Sequence, residues 1–260
     1  MARLCPLFSG SSGNSYYIGS RSAGVLIDAG RSARQTDAML RLCGIDPLAI
    51  SGVLVTHEHS DHIGGLRVFC KKYQLPIYAS SGTLDAIKQN LAGVELCPIS
   101  GDFELAGMNI HSFPISHDCQ EPTGYRIHTE DGREFCLATD LGYLSEEVQK
   151  NLLGCDMVVL ESNHDIEMLR NGPYPYQLKR RILSKEGHLS NFDCAKFLPD
   201  LLKSGVRRFL LAHLSRENNS PSLAFNCALQ SLTTIGAKRD VDFMLGIAPV
   251  ENSNGKTVIF

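Results

Sequence analysis

Six consecutive residues carry the densest chemistry in the chain: His57-Glu58-His59-Ser60-Asp61-His62. The apolar run Val53-Leu54-Val55 leads into them as a short strand. While the backbone stays extended after Thr56, His57 and His59 share a face, because side chains alternate with period two. Two imidazoles converging on one point make half of a metal site. Asp61 and His62 fall where a helix is expected to begin, and Asp61 also suits a helix N-cap. Glu58 points away by the same alternation and takes no catalytic role. Potential ligands packed this tightly at a strand-to-helix turn point to a metal centre rather than to a polar loop.

A metal ion takes roughly four to six ligands, so further donors must come from distant segments. The sequence offers them at strand ends. His117 follows the strand that ends at Pro114-Ile115. Asp140 ends Phe135-Cys136-Leu137-Ala138-Thr139, and His213 ends Phe209-Leu210-Leu211-Ala212. Each of these polar residues terminates an apolar run, where the edge of a sheet can gather side chains from remote parts of the chain.

The elements that must position these residues can be read coarsely. Strands are expected at Arg3–Phe8, Tyr16–Gly19, Gly24–Asp28, Pro76–Ala79, Met108–Pro114, Gly124–Thr129 and Glu134–Ala138, the last two joined through an Asp131-Gly132 hairpin turn. Helical patterns cover Ser32–Cys43, with Ala38, Met39 and Leu42 on one side and Gly44 as the stop, and then Ile63–Tyr73. Further helices are expected at Ser145–Leu153, Tyr176–Ser184, Asn191–Lys203 and Pro221–Thr233, with strands Met157–Leu160 and Phe209–Ala212 between them. This mixture predicts an α/β (α+β) chain of two sheets covered by helices. With no linker, charge block or repeat, residues 1–260 read as a single domain.

Composition excludes several classes. At 43% hydrophobic and 20% charged, the chain has material for a sizeable core. A net charge of −3 and a pI near 6.3 argue against a protein that coats polyanions. The nine cysteines are scattered with no Cys-x-x-Cys, as expected of separate reduced thiols rather than a disulfide framework or thiolate metal site. Met1-Ala2-Arg3-Leu4-Cys5-Pro6 opens no apolar leader, and no stretch is long enough for a membrane span. The expected location is the cytoplasm, away from membranes.

The cluster resembles the His-x-His-x-Asp-His signature of the metallo-β-lactamase-fold superfamily, and the strand-end residues follow in that superfamily's chain order. The resemblance implies an αβ/βα four-layer sandwich with its site along one edge. It implies that His57, His59 and His117 hold one divalent metal ion, that Asp61, His62 and His213 hold a second, and that Asp140 bridges both. Asp28, ending Val25-Leu26-Ile27, resembles the aspartate that braces the metal loops. Donors of this kind without thiolate suit zinc, manganese or iron. Cys119, two residues past His117, reads as packing.

Gly187-His188-Leu189-Ser190 narrows the branch. In the phosphodiesterase and nuclease branches, a histidine between the bridging aspartate and the last ligand approaches the substrate phosphate, and His188 matches it in order. Ser9-Gly10-Ser11-Ser12-Gly13-Asn14, Glu161-Ser162-Asn163-His164-Asp165, Gly187-His188-Leu189-Ser190-Asn191 and His213-Leu214-Ser215-Arg216-Glu217-Asn218-Asn219 resemble the bacterial WalJ group, also called YycJ or VicX, of metal-dependent exonucleases. The resemblance implies a phosphodiester hydrolase acting on a nucleic acid, single-stranded DNA in the first place. Its attacking group would be a metal-bridging hydroxide, since two metals about 3.5–4 Å apart lower the pKa of a shared water from about 15.7 toward 7. Asp61 would orient that hydroxide and His188 would assist the leaving group. Ser190 and Arg216 are candidate substrate contacts, and the run Lys179-Arg180-Arg181 reads either as a phosphate track or as a solvated helix face. His164 stands between a site wall and a structural role, whereas His111 and His128 read as structural. Two other functions compete: hydrolysis of a small ester, lactone, thioester or cyclic phosphate on the same metals, and a regulatory protein that keeps its metals for folding alone. Oligomeric state is not encoded in any motif.

Overall fold

The short apolar runs become strands, and the polar residue that follows each one becomes a site position. A computed structural model describes residues 2–20 and 22–260. Met1, part of the N-terminal stretch read above, and Arg21 lie outside the described residues. The chain divides into two units. The first comprises Met1–Phe113, Cys119–Arg133 and Pro249–Phe260, and the second Pro114–Asp118 and Glu134–Ala248.

In the first unit, β1 (Arg3–Phe8), β2 (Ser15–Gly19), β3 (Gly24–Ile27), β4 (Ile50–Leu54), β5 (Ile77–Ala79) and β6 (Leu96–Pro98) lie side by side in chain order, with Val258–Ile259 against the outer edge of β1. The pairs from β1 to β3 are antiparallel and those from β3 to β6 parallel. Parallel neighbours need crossovers. These are supplied by α1 (Ala33–Leu42), α2 (Ser60–Ile63) with α3 (Leu66–Tyr73), and α4 (Ser81–Ile87). Leu26, Val53, Phe69 and Ile77 belong to the core between the sheet and these helices. A hairpin of β7 (Gly101–Leu105) and β8 (Met108–Pro114) turns through Ala106-Gly107, both with positive φ as its two-residue turn requires. The strand β9 (Thr123–His128) is pinned to the end of β4, where Thr123 N–H donates to the Thr56 carbonyl (2.9 Å) and the Tyr125 hydroxyl to that of Val55 (2.6 Å).

Two expectations are corrected here. The buried face of α1 is Ala33, Thr36, Met39 and Leu40, whereas Ala38 and Leu42 are exposed. Positions 33, 36 and 40 follow helical spacing, and 38 and 42 fall on the opposite side. Residues 63–73 are not one helix. Gly64 and Gly65 separate α2 from α3 because the chain there presses against another backbone segment: a Cβ on Gly65 would sit 1.9 Å from the Arg31 carbonyl oxygen.

In the second unit, β10 (Glu134–Ala138), β11 (Met157–Glu161), β12 (Arg208–Ala212) and β13 (Met244–Ile247) pair in that order, all parallel. Every residue of β11 is buried, the near-continuous apolar reading expected of an interior parallel strand. The connections carry α5 (Glu146–Leu152), α6 (Ile166–Asn171), α7 (Tyr176–Ile182), α8 (Asn191–Lys203) and α9 (Pro221–Thr234). Ser145, Ser190 and Ser220 cap α5, α8 and α9, each accepting from the backbone N–H three residues on. Among the described residues, no helix is long and apolar enough to cross a membrane.

Candidate metal centre

The first unit builds one set of donors on Asp28. Its Oδ1 accepts the Thr56 N–H at 2.8 Å, and its Oδ2 accepts the Thr56 hydroxyl and His62 Nδ1–H, both at 2.8 Å. Having given its proton to Asp28, the Thr56 hydroxyl accepts from His57 Nδ1 at 3.0 Å. Both imidazoles are thereby fixed with Nδ1 as donor and Nε2 as the lone-pair nitrogen. Their ring centroids are 4.0 Å apart, and His59 stands edge-on to His57 at 4.7 Å. The amide of Asn14 reaches Asp61 Oδ2 (3.2 Å) and His62 Nε2 (3.0 Å). That contact explains the Ser9–Asn14 loop. Gly30 lies between Asn14 and Asp61 so closely that a Cβ there would meet the Asp61 carbonyl oxygen at 1.7 Å.

The second unit centres on the carboxylate of Glu161, which also ends an apolar strand but is absent from the expected site residues. It is fully buried at the end of β11. Its Oε1 accepts Nδ1–H from His188 (2.9 Å) and from His213 (2.8 Å), while its Oε2 accepts the backbone N–H of Leu141 and of Leu189, both at 3.0 Å. Burial alone would raise the Glu161 carboxyl, but the two imidazoles bonded to it outweigh burial and hold it low. Asp140 Oδ1 lies 3.1 Å from His213 Nδ1 and 4.0 Å from His117 Nε2. One donor atom from each of Asp140, Glu161, His188 and His213 falls within 4.8 Å of the others. His117 donates Nδ1–H to the Gly187 carbonyl at 3.1 Å, and burial pushes its pKa below the ordinary imidazole value.

Four imidazoles, those of His57, His62, His117 and His213, thus engage Nδ1 with a hydroxyl, a carboxylate or a carbonyl and turn Nε2 the other way. This is the arrangement of metal-binding histidines, whose far nitrogen is held so that ring orientation and tautomer are set. The donors in each unit fit divalent metal ions. The backbone is specialised at the same places: Asp28, Asp140 and His213 have φ of 60°, 61° and 54°. Left-handed backbone at a residue other than glycine costs about 1–3 kcal/mol and persists where the surroundings enforce it.

A family model described as the beta-lactamase superfamily domain matches residues 24–214. The chain is 41% identical to the exodeoxyribonuclease YycJ of Bacillus anthracis, over 84% of this chain and 84% of that protein. It is 36% identical to the exodeoxyribonuclease WalJ of Streptococcus pneumoniae serotype 2 strain D39, over 91% of this chain and 90% of that one. The chain belongs to the metallo-β-lactamase superfamily, in its YycJ/WalJ group. The crystal structure of the metallo-β-lactamase fold protein YhfI from Bacillus subtilis covers 100% of both chains with a TM-score of 0.72 at 15% identity. The chain therefore has the metallo-β-lactamase fold.

Within this metallo-β-lactamase-fold chain, three of the group's four motifs, those at residues 161–165, 187–191 and 213–219, meet in a buried network in the second unit. Ser162 donates to Asn191 Oδ1 (2.6 Å), the Asn191 and Asn219 amides bond to each other, and Asn163 Nδ2 donates to the His213 carbonyl (2.9 Å). That last bond holds the left-handed turn from which His213 projects. His164 is buried with neither ring nitrogen bonded, and burial lowers its pKa to about 4. Ser190 is buried at the start of α8, its hydroxyl donating to Asp193 Oδ2 at 2.6 Å. Arg216 is exposed in the loop after His213. The basic run is largely engaged: Arg181 pairs with Asp118 through both its Nε and its Nη2, and Lys179 Nζ donates to the Arg170 carbonyl. Glu58 accepts the Gln120 N–H at 2.7 Å, and His111 bonds Asp102 at 2.7 Å.

Proposed function

We propose that this protein is a dinuclear metal-dependent phosphodiesterase that shortens single-stranded DNA from an end. The observation that carries the reading is the single carboxylate of Glu161 held by both His188 and His213. A histidine outside the expected ligand set is thereby locked beside a member of it, with Nε2 facing away from the carboxylate. In this reading His57, His59 and His117 would hold one ion and Asp61, His62 and His213 the other, with Asp140 shared between the two sets. The ions are zinc, manganese or iron, and when bound they supply Lewis acidity and a water of lowered pKa.

The chain's own residues do the rest. Asp61, oriented by Asn14, sets the position of the attacking water. His188 delivers the proton on Nε2 to the leaving oxygen, and Glu161 stabilises the imidazolium before that transfer. Arg216 takes a phosphate of the strand, and Ser190 keeps its capping role. The two similar proteins named exodeoxyribonuclease support DNA as substrate. The family match runs through segments of both units and supports reading residues 1–260 as one domain. Among the described residues the cysteines form no disulfide, in keeping with a reducing, cytoplasmic location.

The test incubates metal-loaded protein with end-labelled DNA and RNA strands, beside a lactone, a thioester and a small phosphodiester. Progressive shortening of the DNA, abolished by His59→Ala, is expected. Intact oligonucleotides together with turnover of the lactone or thioester would remove the nuclease assignment.

A further inference from the structure

The second unit contains a cavity of about 390 Å³ that the chemistry above does not use. Its walls include Tyr143, Leu189 and Phe197, with Asp193, Lys196 and Asp200 among the polar residues. We infer that this cavity receives a nucleobase of the strand being cut, a conclusion that rests on the phosphodiesterase reading.

Three observations carry it. The first is position. Leu189 directly follows His188, and Gly142, also in the wall, lies two residues after Asp140. Both flanking segments hang from one carboxylate, since Glu161 Oε2 takes the N–H of Leu141 and of Leu189. Two wall segments of the cavity and His188 thus share one anchor, the Glu161 carboxylate.

The second is lining chemistry. Two aromatic rings and a leucine offer faces for stacking, which is sequence-tolerant because every base has a π-face. Asp193 is engaged by the Ser190 hydroxyl and Asp200 by Lys203, so what the lining offers a base is stacking rather than hydrogen bonding. The volume lies in the range of small-ligand sites, about 300–1,000 Å³.

The third is the neighbouring cation. Lys185 Nζ sits 5.7 Å from the centroid of the Tyr143 ring, and Tyr143 is 41% exposed. Lys185 has no carboxylate partner among the described residues, unlike Arg181, which is bound to Asp118. The Ser116 hydroxyl fixes this segment by donating to the Lys185 carbonyl at 2.8 Å. An ammonium beside an aromatic ring pairs a phosphate contact with a base platform.

The experiment compares wild type with Tyr143→Ala and Tyr143→Phe on three substrates: a single-stranded oligodeoxynucleotide, the same oligonucleotide with abasic residues at both ends, and the mononucleotide ester thymidine 5′-p-nitrophenyl phosphate, with methyl p-nitrophenyl phosphate as the base-free reference. Tyr143→Ala should raise KM for the oligonucleotide and the thymidine ester about tenfold more than for the reference. Tyr143→Phe should restore it, and wild type should show the raised KM on the abasic strand. Equal effects of Tyr143→Ala on the thymidine ester and on the reference, or no effect on either, would overturn the proposal. If wild type leaves DNA intact but turns over both small diesters, the nuclease reading fails, and the thymidine ester still decides whether a base occupies the cavity.

Discussion

Replacing Glu161 by glutamine keeps the shape of the side chain and removes half of its accepting capacity. The native carboxylate takes four N–H groups, two imidazole donors at 2.9 and 2.8 Å and two backbone donors at 3.0 Å. A glutamine amide accepts at one oxygen only, so whichever way it turns, its NH2 group faces two donors. Each donor left without an acceptor costs about 1–3 kcal/mol, giving a loss of about 2–6 kcal/mol in stability. His188 also loses the partner that would stabilise its protonated form, and the turnover number should fall by about 10²–10⁴-fold. Metal affinity should drop about 10–100-fold through His213, so the assay is run at saturating metal. It compares an alkyl diester such as a DNA link with a diester that releases p-nitrophenolate. Nitrophenolate departs without needing a proton, so the large loss should be confined to the DNA link. Equal losses on both substrates would refute leaving-group protonation by the pair of Glu161 and His188. Wild-type rates on both would show that the pair takes no part.

The remaining predictions address neighbouring parts of the site. His188→Ala should lower the turnover number on DNA by about 10²–10⁴-fold with the metal content unchanged, and loss of a metal ion would instead make His188 a ligand and reopen the role of His213. Thr56→Val removes the hydroxyl that joins Asp28 to His57. Competition with a fluorescent chelator should then show metal affinity about 10–100-fold weaker, and an unchanged affinity would dismiss the bracing role. His164, with a pKa of about 4 in the fold, binds fewer protons there than in the unfolded chain between that value and about 6.5. Its contribution to stability is thus complete above about pH 6.5 and is lost as pH falls toward 4, up to about 3 kcal/mol. Denaturant titrations of chelator-treated protein should show this slope, and His164→Phe should flatten it; an unchanged slope would contradict the assignment.

The parts of the site that were legible in the sequence share one signal, a polar residue ending an apolar strand. Asp28, Asp140 and His213 carry it, as does the cluster after Val55. Glu161 carries it too, but inside the polar run Glu161-Ser162-Asn163-His164-Asp165 its sequence does not distinguish it as the residue that organises His188 and His213. The left-handed backbone at Asp28, Asp140 and His213 has no counterpart in residue type, because only the fold enforces it. Ser145, expected as the first helical residue, is instead the N-cap of α5, and Asn191–Lys203 appears with the expected bounds behind its cap Ser190. The break between α2 and α3 depends on a contact with Arg31, some thirty residues earlier in the chain, which local periodicity cannot report. The buried face of α1 is hard to read from residue type, because Ala38 and Leu42 are apolar yet lie outside the arc set by Ala33, Thr36 and Leu40. The helix α4 and strand β6 are too short, at seven and three residues, for a clear period, whereas β7 alternates in burial and carries a strand signal that the expected elements lack.

The claim on which everything else rests is a centre of two metal ions, with Asp140 shared between them. Elemental analysis of protein purified without chelator tests it directly, on wild type and on Asp140→Asn. Close to two equivalents per chain are expected for wild type, and fewer for the variant, because a neutral amide bridges two cations poorly. A wild-type content that stays at zero under metal-replete conditions would contradict the account.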